Sequence, residues 1–79
     1  MIEILSKPAC PYCVKAKNLC EQHGYEYTYK MLDEDFTREQ LFEEFPTART
    51  FPQIRIDGEA IGGFDNLQEW HNNRKLLVE

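Results

Sequence analysis

Nothing in this sequence approaches the roughly 20 consecutive apolar residues that a membrane-spanning helix needs. Its first six residues are too few, and too soon followed by polar ones, to act as a secretory leader. No membrane partner is expected. Positive charge is also scarce: nine Lys and Arg face fourteen Asp and Glu, for a net charge of −5. That balance provides no phosphate-tracking surface, so nucleic acid is not an expected partner. Cysteine numbers only three, an odd count that argues against a secreted disulfide framework and for a reducing, cytoplasmic compartment. The chain has no repeat, linker or low-complexity tract, and 79 residues leave no room for a second core. A single domain over residues 1–79, behaving as a monomer, is the expectation.

What is present centres on Cys10, Pro11, Tyr12 and Cys13, a C-x-x-C placed where an extended segment gives way to a helical pattern. Pro11 suits the first helical position, because its missing N–H would be unpaired there anyway. Cys10 then becomes the N-cap. Its sulfur faces unpaired backbone N–H groups and the positive end of the helix dipole, which favour thiolate over thiol. Lys7 adds a nearby positive charge. Cys13 follows three residues later, on the same helical face at about 5–6 Å between Cβ atoms, close enough to adjust into a disulfide.

A structural role explains such a pair less well. A crosslink stabilises mainly by closing a long loop of the unfolded chain, and a ring from Cys10 to Cys13 closes almost none. Zinc is the other bland reading, since Cys10, Cys13, Cys20 and His23 nominally form C-x2-C-x6-C-x2-H. One unbroken helix from Pro11 to His23 would separate Cys13 from Cys20 by about 10.5 Å along its axis. Tetrahedral coordination needs sulfurs roughly 4 Å apart. No metal ligand is therefore assigned, and the pair reads as redox chemistry. Cys20 is expected to be a small buried helix residue and His23 a helix-end residue.

Residues 1–5 read as a strand buried on both faces. A helix from Pro11 closes at Gly24. Residues 25–32 alternate as a half-buried edge strand, with Tyr25, Tyr27, Tyr29 and Met31 on the core side. Thr37 and Gln40 can form a capping box, with Phe36 and Leu41 as the staple beside it. The short helix that follows should turn Leu41, Phe42 and Phe45 inward and stop at Pro46. Residues 52–56 and 59–61 read as a hairpin around Asp57-Gly58, with Pro52 at its start. Gly62-Gly63 permits positive φ or close backbone approach. A third helix is expected to begin near Asp65 or Asn66, either of which can cap it, with Leu67, Trp70, the stem of Arg74 and Leu77 inward. A crossover helix between strands gives a parallel pair and the hairpin an antiparallel one, so the class is α/β with a mixed four-stranded sheet.

Three motifs in order, Lys7-Pro8-Ala9-Cys10-Pro11-Tyr12-Cys13, Thr50-Phe51-Pro52 and Gly62-Gly63-Phe64-Asp65-Asn66, resemble those of the glutaredoxins over nearly the whole chain. The resemblance implies a thioredoxin-like fold, with strand order 2-1-3-4 and three flanking helices, in a dithiol oxidoreductase that uses glutathione as reductant. It implies that Cys10 is the nucleophile, that Cys13 resolves, and that Pro52 follows a cis peptide bond. Lys7 and Tyr12 would flank glutathione, the backbone of Phe51 would pair with its cysteine, and Gly63, Asp65 and Asn66 would hold its γ-glutamyl end. Physical chemistry agrees with that placement, since a helix N-terminus attracts carboxylates and Asp65 can accept bonds from an ammonium group. The sequence departs from the family pattern at Phe51, where valine is commoner, and at Arg49. Expected protein partners are disulfide or glutathionylated proteins, with ribonucleotide reductase a candidate by analogy. Alternatives are a redoxin recharged by thioredoxin reductase and a non-enzymatic iron–sulfur carrier.

Overall fold

Along the first strand, Ile2 and Ile4 face one way and Leu5 the other, and all three are almost fully excluded from solvent. A strand apolar on both faces needs cover on both faces, and the computed structural model of the chain supplies it. The structure describes every residue except Thr47, Arg49 and Glu79, and omits the side chains of residues 75–78. The elements run β1 (Ile2–Ser6), α1 (Pro11–Gln22), β2 (Tyr27–Met31), α2 (Arg38–Glu44), β3 (Gln53–Ile56), β4 (Glu59–Gly62) and α3 (Phe64–Val78). The sheet order is β2-β1-β3-β4. β1 pairs parallel with β2 and antiparallel with β3, and β3 pairs antiparallel with β4. This is the expected mixed sheet in the order 2-1-3-4.

One apolar cluster joins Ile2, Ile4 and Ile54 to Ala16, Leu19 and Cys20 of α1 and Leu67 of α3. On the opposite face Leu5 packs with Leu32, Phe36, Leu41 and Phe45, the last two from α2 and its C-terminal cap. The local stops act as anticipated. Thr37 and Gln40 form a reciprocal capping box, with the staple residues Phe36 and Leu41 both buried beside it. Asp57 and Gly58 both have positive φ, 51° and 86°, which gives the tight hairpin its matching twist.

Four expectations need correction. The second strand begins at Tyr27, not Tyr25, because Tyr25 completes the end of α1. Its N–H donates to the Cys20 carbonyl at 3.0 Å, and the Gly24 N–H donates to Glu21 at 3.4 Å. These are the two bonds of a Schellman cap, with Gly24 at φ 70°. The tyrosines of this segment pack against the core only in part: the Tyr27 hydroxyl donates to Glu21 and the Tyr25 hydroxyl meets His71. Phe42 points outward and is 48% exposed, since a seven-residue helix offers one stripe to the sheet and Leu41 and Phe45 occupy it. Finally, α3 starts at Phe64. The Gly63 carbonyl accepts the first helical bond, from the Leu67 N–H at 3.1 Å, and the Asn66 side chain accepts the Gly63 N–H at 3.4 Å. Gly63 is therefore the cap, and Asp65 and Asn66 lie inside the helix. Leu67 is fully buried and Trp70 partly so, while the Arg74 guanidinium lies 5.3 Å from the Trp70 ring centre. Leu77, the last residue of the expected stripe, lies outside the described side chains.

Candidate functional site

At the C-terminal end of β1 the chain turns through Ala9, which has φ 56°, and delivers Cys10 to the start of α1. Cys10 has extended backbone angles (φ −115°, ψ 101°) and is the N-cap, with Pro11 opening the helix. Its sulfur accepts a hydrogen bond from the Cys13 N–H at 3.3 Å. A cap of this kind uses sulfur where Ser or Asp would ordinarily supply oxygen. Cys10 and Cys13 are joined as a disulfide, with Cα atoms 5.3 Å apart. The two sulfurs are not equivalent. Cys13 is completely buried, whereas Cys10 keeps 8% of its surface, so a thiol arriving from solvent meets Cys10.

Beside this pair lies an open groove of about 340 Å³ lined by Tyr12, by Thr50, Phe51 and Pro52, and by residues 63–66. The Phe51–Pro52 peptide bond is cis, as the resemblance implied. Pro52 is buried, and a Cβ at Gly63 would meet its carbonyl at an ordinary contact distance of 3.5 Å. Gly62 has φ 116°, a conformation open to glycine alone in practice. Together these residues bring the cis-proline loop against the start of α3, whose first N–H groups and positive dipole end favour an anionic ligand.

The structure thus gathers Tyr12, Phe51, Pro52, Gly63, Asp65 and Asn66 into one groove next to Cys10 and Cys13. Lys7 is not among the residues lining the groove, but its Nζ lies 5.8 Å from the ring centre of the groove residue Phe51, and it also lines a hollow that includes Cys10. Arg49 lies outside the described residues. Two groove residues, Thr50 and Phe64, carried no role in the sequence reading. Phe64 could have been found from its position: side chains in the first turn lean toward the helix N-terminus, which brings its ring within 6.2 Å of Tyr12. Cys20 takes no part. It is wholly buried, and burial pushes its thiol up to about 11. Among the described residues no group of three or more His, Cys, Asp or Glu side chains could hold a metal ion.

Residues 2–61 match the family model described as Glutaredoxin. The chain is 34% identical over 79 residues to Glutaredoxin-C2 of Arabidopsis thaliana, covering 96% of this chain and 71% of that protein. It is 41% identical over 74 residues to a glutaredoxin of Haemophilus influenzae, covering 85% of each. Among solved structures it is similar to a buckwheat glutaredoxin–glutathione complex, with a TM-score of 0.79 and 32% identity over 98% of this chain and 73% of that one.

Proposed function

This chain belongs to the glutaredoxin family, and from that premise we propose that it is a glutathione-dependent reductant of protein disulfides and glutathione mixed disulfides. Family membership together with the Cys10–Cys13 pair makes it a thiol–disulfide oxidoreductase on a thioredoxin-like fold. The observation that carries the glutathione reading is the groove running from Tyr12 past the cis-proline loop to the start of α3. Glutathione has a thiol, two carboxylates and one ammonium, and the groove offers a match for its cysteine and for both charges of its γ-glutamyl end. The dithiol is at one end. Main-chain groups of Phe51 can pair with the cysteine of the tripeptide. The N-terminus of α3 attracts the γ-glutamyl carboxylate, with Asp65 available to its ammonium. The similarity to a glutaredoxin that binds glutathione supports the same assignment.

The reaction follows from the unequal sulfurs. The Cys10 thiolate, stabilised by the Cys13 N–H and the dipole of α1, attacks the glutathione sulfur of a glutathionylated protein. The protein thiolate leaves and takes a proton. A second glutathione thiolate then attacks the Cys10 mixed disulfide, which releases oxidised glutathione and restores the Cys10 thiolate. With a protein disulfide, Cys10 forms the mixed disulfide and Cys13 displaces the protein, leaving the Cys10–Cys13 disulfide for two glutathiones to reduce. The test is turnover of a glutathione mixed disulfide by wild type, Cys10→Ser and Cys13→Ser. Cys10→Ser is expected to lose all turnover, and Cys13→Ser to keep deglutathionylation while losing protein-disulfide reduction. Activity in Cys10→Ser, or reduction of the wild type by thioredoxin reductase and not by glutathione, overturns the proposal.

A further inference from the structure

Cys10 borders a second hollow, which shares no described lining residue with the groove above. It measures about 440 Å³ and is walled by residues 7–11, by Val14 of α1 and by Tyr29 and Met31 of β2. Lys7 is the one charged residue in that wall among the described residues. Val14 stands 49% exposed in it. We propose that this hollow receives a bulky apolar side chain of a polypeptide substrate, adjacent in that substrate to the cysteine that bonds to Cys10. The inference rests on the thiol–disulfide reading above and extends it to how protein substrates are chosen.

Three observations select this occupant. Continuity with the reacting sulfur comes first: Cys10 is part of the wall, while the buried Cys13 cannot be reached from it. A disulfide holds the two Cα atoms about 4.4–6.8 Å apart, so a residue next to the bonded cysteine must lie against the surface around Cys10. Chemistry comes second. The described wall residues Pro8, Ala9, Pro11, Val14 and Met31 are apolar and no acidic side chain is among them to meet glutathione's ammonium, whereas a Phe or Leu side chain loses water there. Charge at the rim comes third. In a chain of net charge −5, Lys7 lies in this wall and the Lys17 ammonium sits 5.4 Å from the ring centre of Tyr29. Two cations beside an apolar hollow match a substrate segment with an acidic residue flanking its apolar one.

The chemical step is the one already written. The Cys10 thiolate bonds to the substrate sulfur and the sulfur formerly joined to it departs as a thiolate; Cys13 then attacks Cys10, the substrate cysteine departs as a thiolate, and two electrons have passed from the dithiol to the substrate disulfide.

The test uses the reduced Cys13→Ser protein, which stops at the mixed disulfide, and short acidic peptides whose single cysteine is capped by thionitrobenzoate. Release of the coloured thiolate reports the rate of attack without any turnover by glutathione. The peptide with Phe beside its cysteine is expected to react about ten-fold faster than the same peptide with Ala, the scale of discrimination open to an apolar pocket. Val14→Gln and Met31→Gln should each erase most of that preference and leave the rate with thionitrobenzoate-capped glutathione within about two-fold. Equal rates for the two peptides overturn the proposal. So does a glutathione rate that falls in step with the peptide rate, which would give the hollow to the tripeptide. Concentration-dependent dimerisation abolished by Val14→Gln also overturns it, since a second copy would then fill the hollow. A Phe preference that persists while capped glutathione reacts no faster than capped free cysteine would instead sink the glutathione reading and leave this one standing.

Discussion

Replacing Gly62 with Ala isolates how the wall of the groove is held. Two costs can be worked out from its surroundings. At φ 116° an L side chain is strained by about 1–3 kcal/mol. The added Cβ would also lie 2.7 Å from Asn66 Oδ1 and 2.9 Å from its Cγ. That collision is with the end of a rotatable side chain, so Asn66 can swing away. In doing so it gives up the N–H of the cap residue Gly63, a loss of about 0.5–1 kcal/mol. Gly62→Ala should therefore destabilise the fold by about 2–3 kcal/mol in equilibrium urea unfolding. Asn66→Ala alone should cost about 0.5–1 kcal/mol. The double variant decides the reasoning. Once Asn66 is truncated there is nothing left to displace, so the double loss should match that of Gly62→Ala alone, short of additivity by the whole Asn66 contribution. Strict additivity, or a Gly62→Ala loss below about 0.5 kcal/mol, would refute the account of both strain and displacement. The displaced side chain also intrudes on the groove, so the KM for a glutathione mixed disulfide should rise in Gly62→Ala with kcat little changed.

Further outcomes follow from the same geometry. Arg55 grips the Glu3 carboxylate through bonds of 2.6 and 3.2 Å, and this contact holds the Glu3 carboxyl below its ordinary 4.5. A depressed carboxyl contributes stability above its unfolded value and loses it as pH falls through the lower folded one. The wild type should thus exceed Glu3→Gln by about 1 kcal/mol at neutral pH and converge on it between about pH 5 and pH 2; a gap that stays constant with pH counts against the pairing. In the reduced protein Cys20 should resist alkylation until denaturant is added, because its thiol is buried and held near 11; labelling at native rates equal to Cys10 would contradict that. Leu41→Ala should cost about 2–5 kcal/mol and Phe42→Gln less than about 0.5, although both were expected inside. A large loss for Phe42→Gln in thermal unfolding would mean that α2 packs by a different stripe.

Chain-local features were legible because their physics closes within a few residues. Cys10 and Pro11 at the mouth of α1, Gly24 at its end, Thr37 with Gln40, and the Asp57-Gly58 turn each satisfy backbone groups that lie next to them in sequence. The seven expected glutathione contacts, Lys7, Tyr12, Phe51, Pro52, Gly63, Asp65 and Asn66, came from motif resemblance; the Asp57-Gly58 hairpin brings residue 52 toward residue 63, but no local rule sets either beside Tyr12. Packing across the sheet decided the rest. It chose Leu41 and Phe45 over Phe42 and left the tyrosines of β2 half-covered at an edge, while Gly63 became the cap of α3 through its bonds to Leu67 and Asn66. It also set the Lys7 ammonium over the ring of Phe51 and opened the apolar hollow between α1 and β2. The amino-acid order alone determined the number, type and order of the elements and which sulfur sits at a helix mouth. Only the folded chain decided which faces meet, because burial is shared among residues far apart in sequence and no single segment carries the information to choose its own partner.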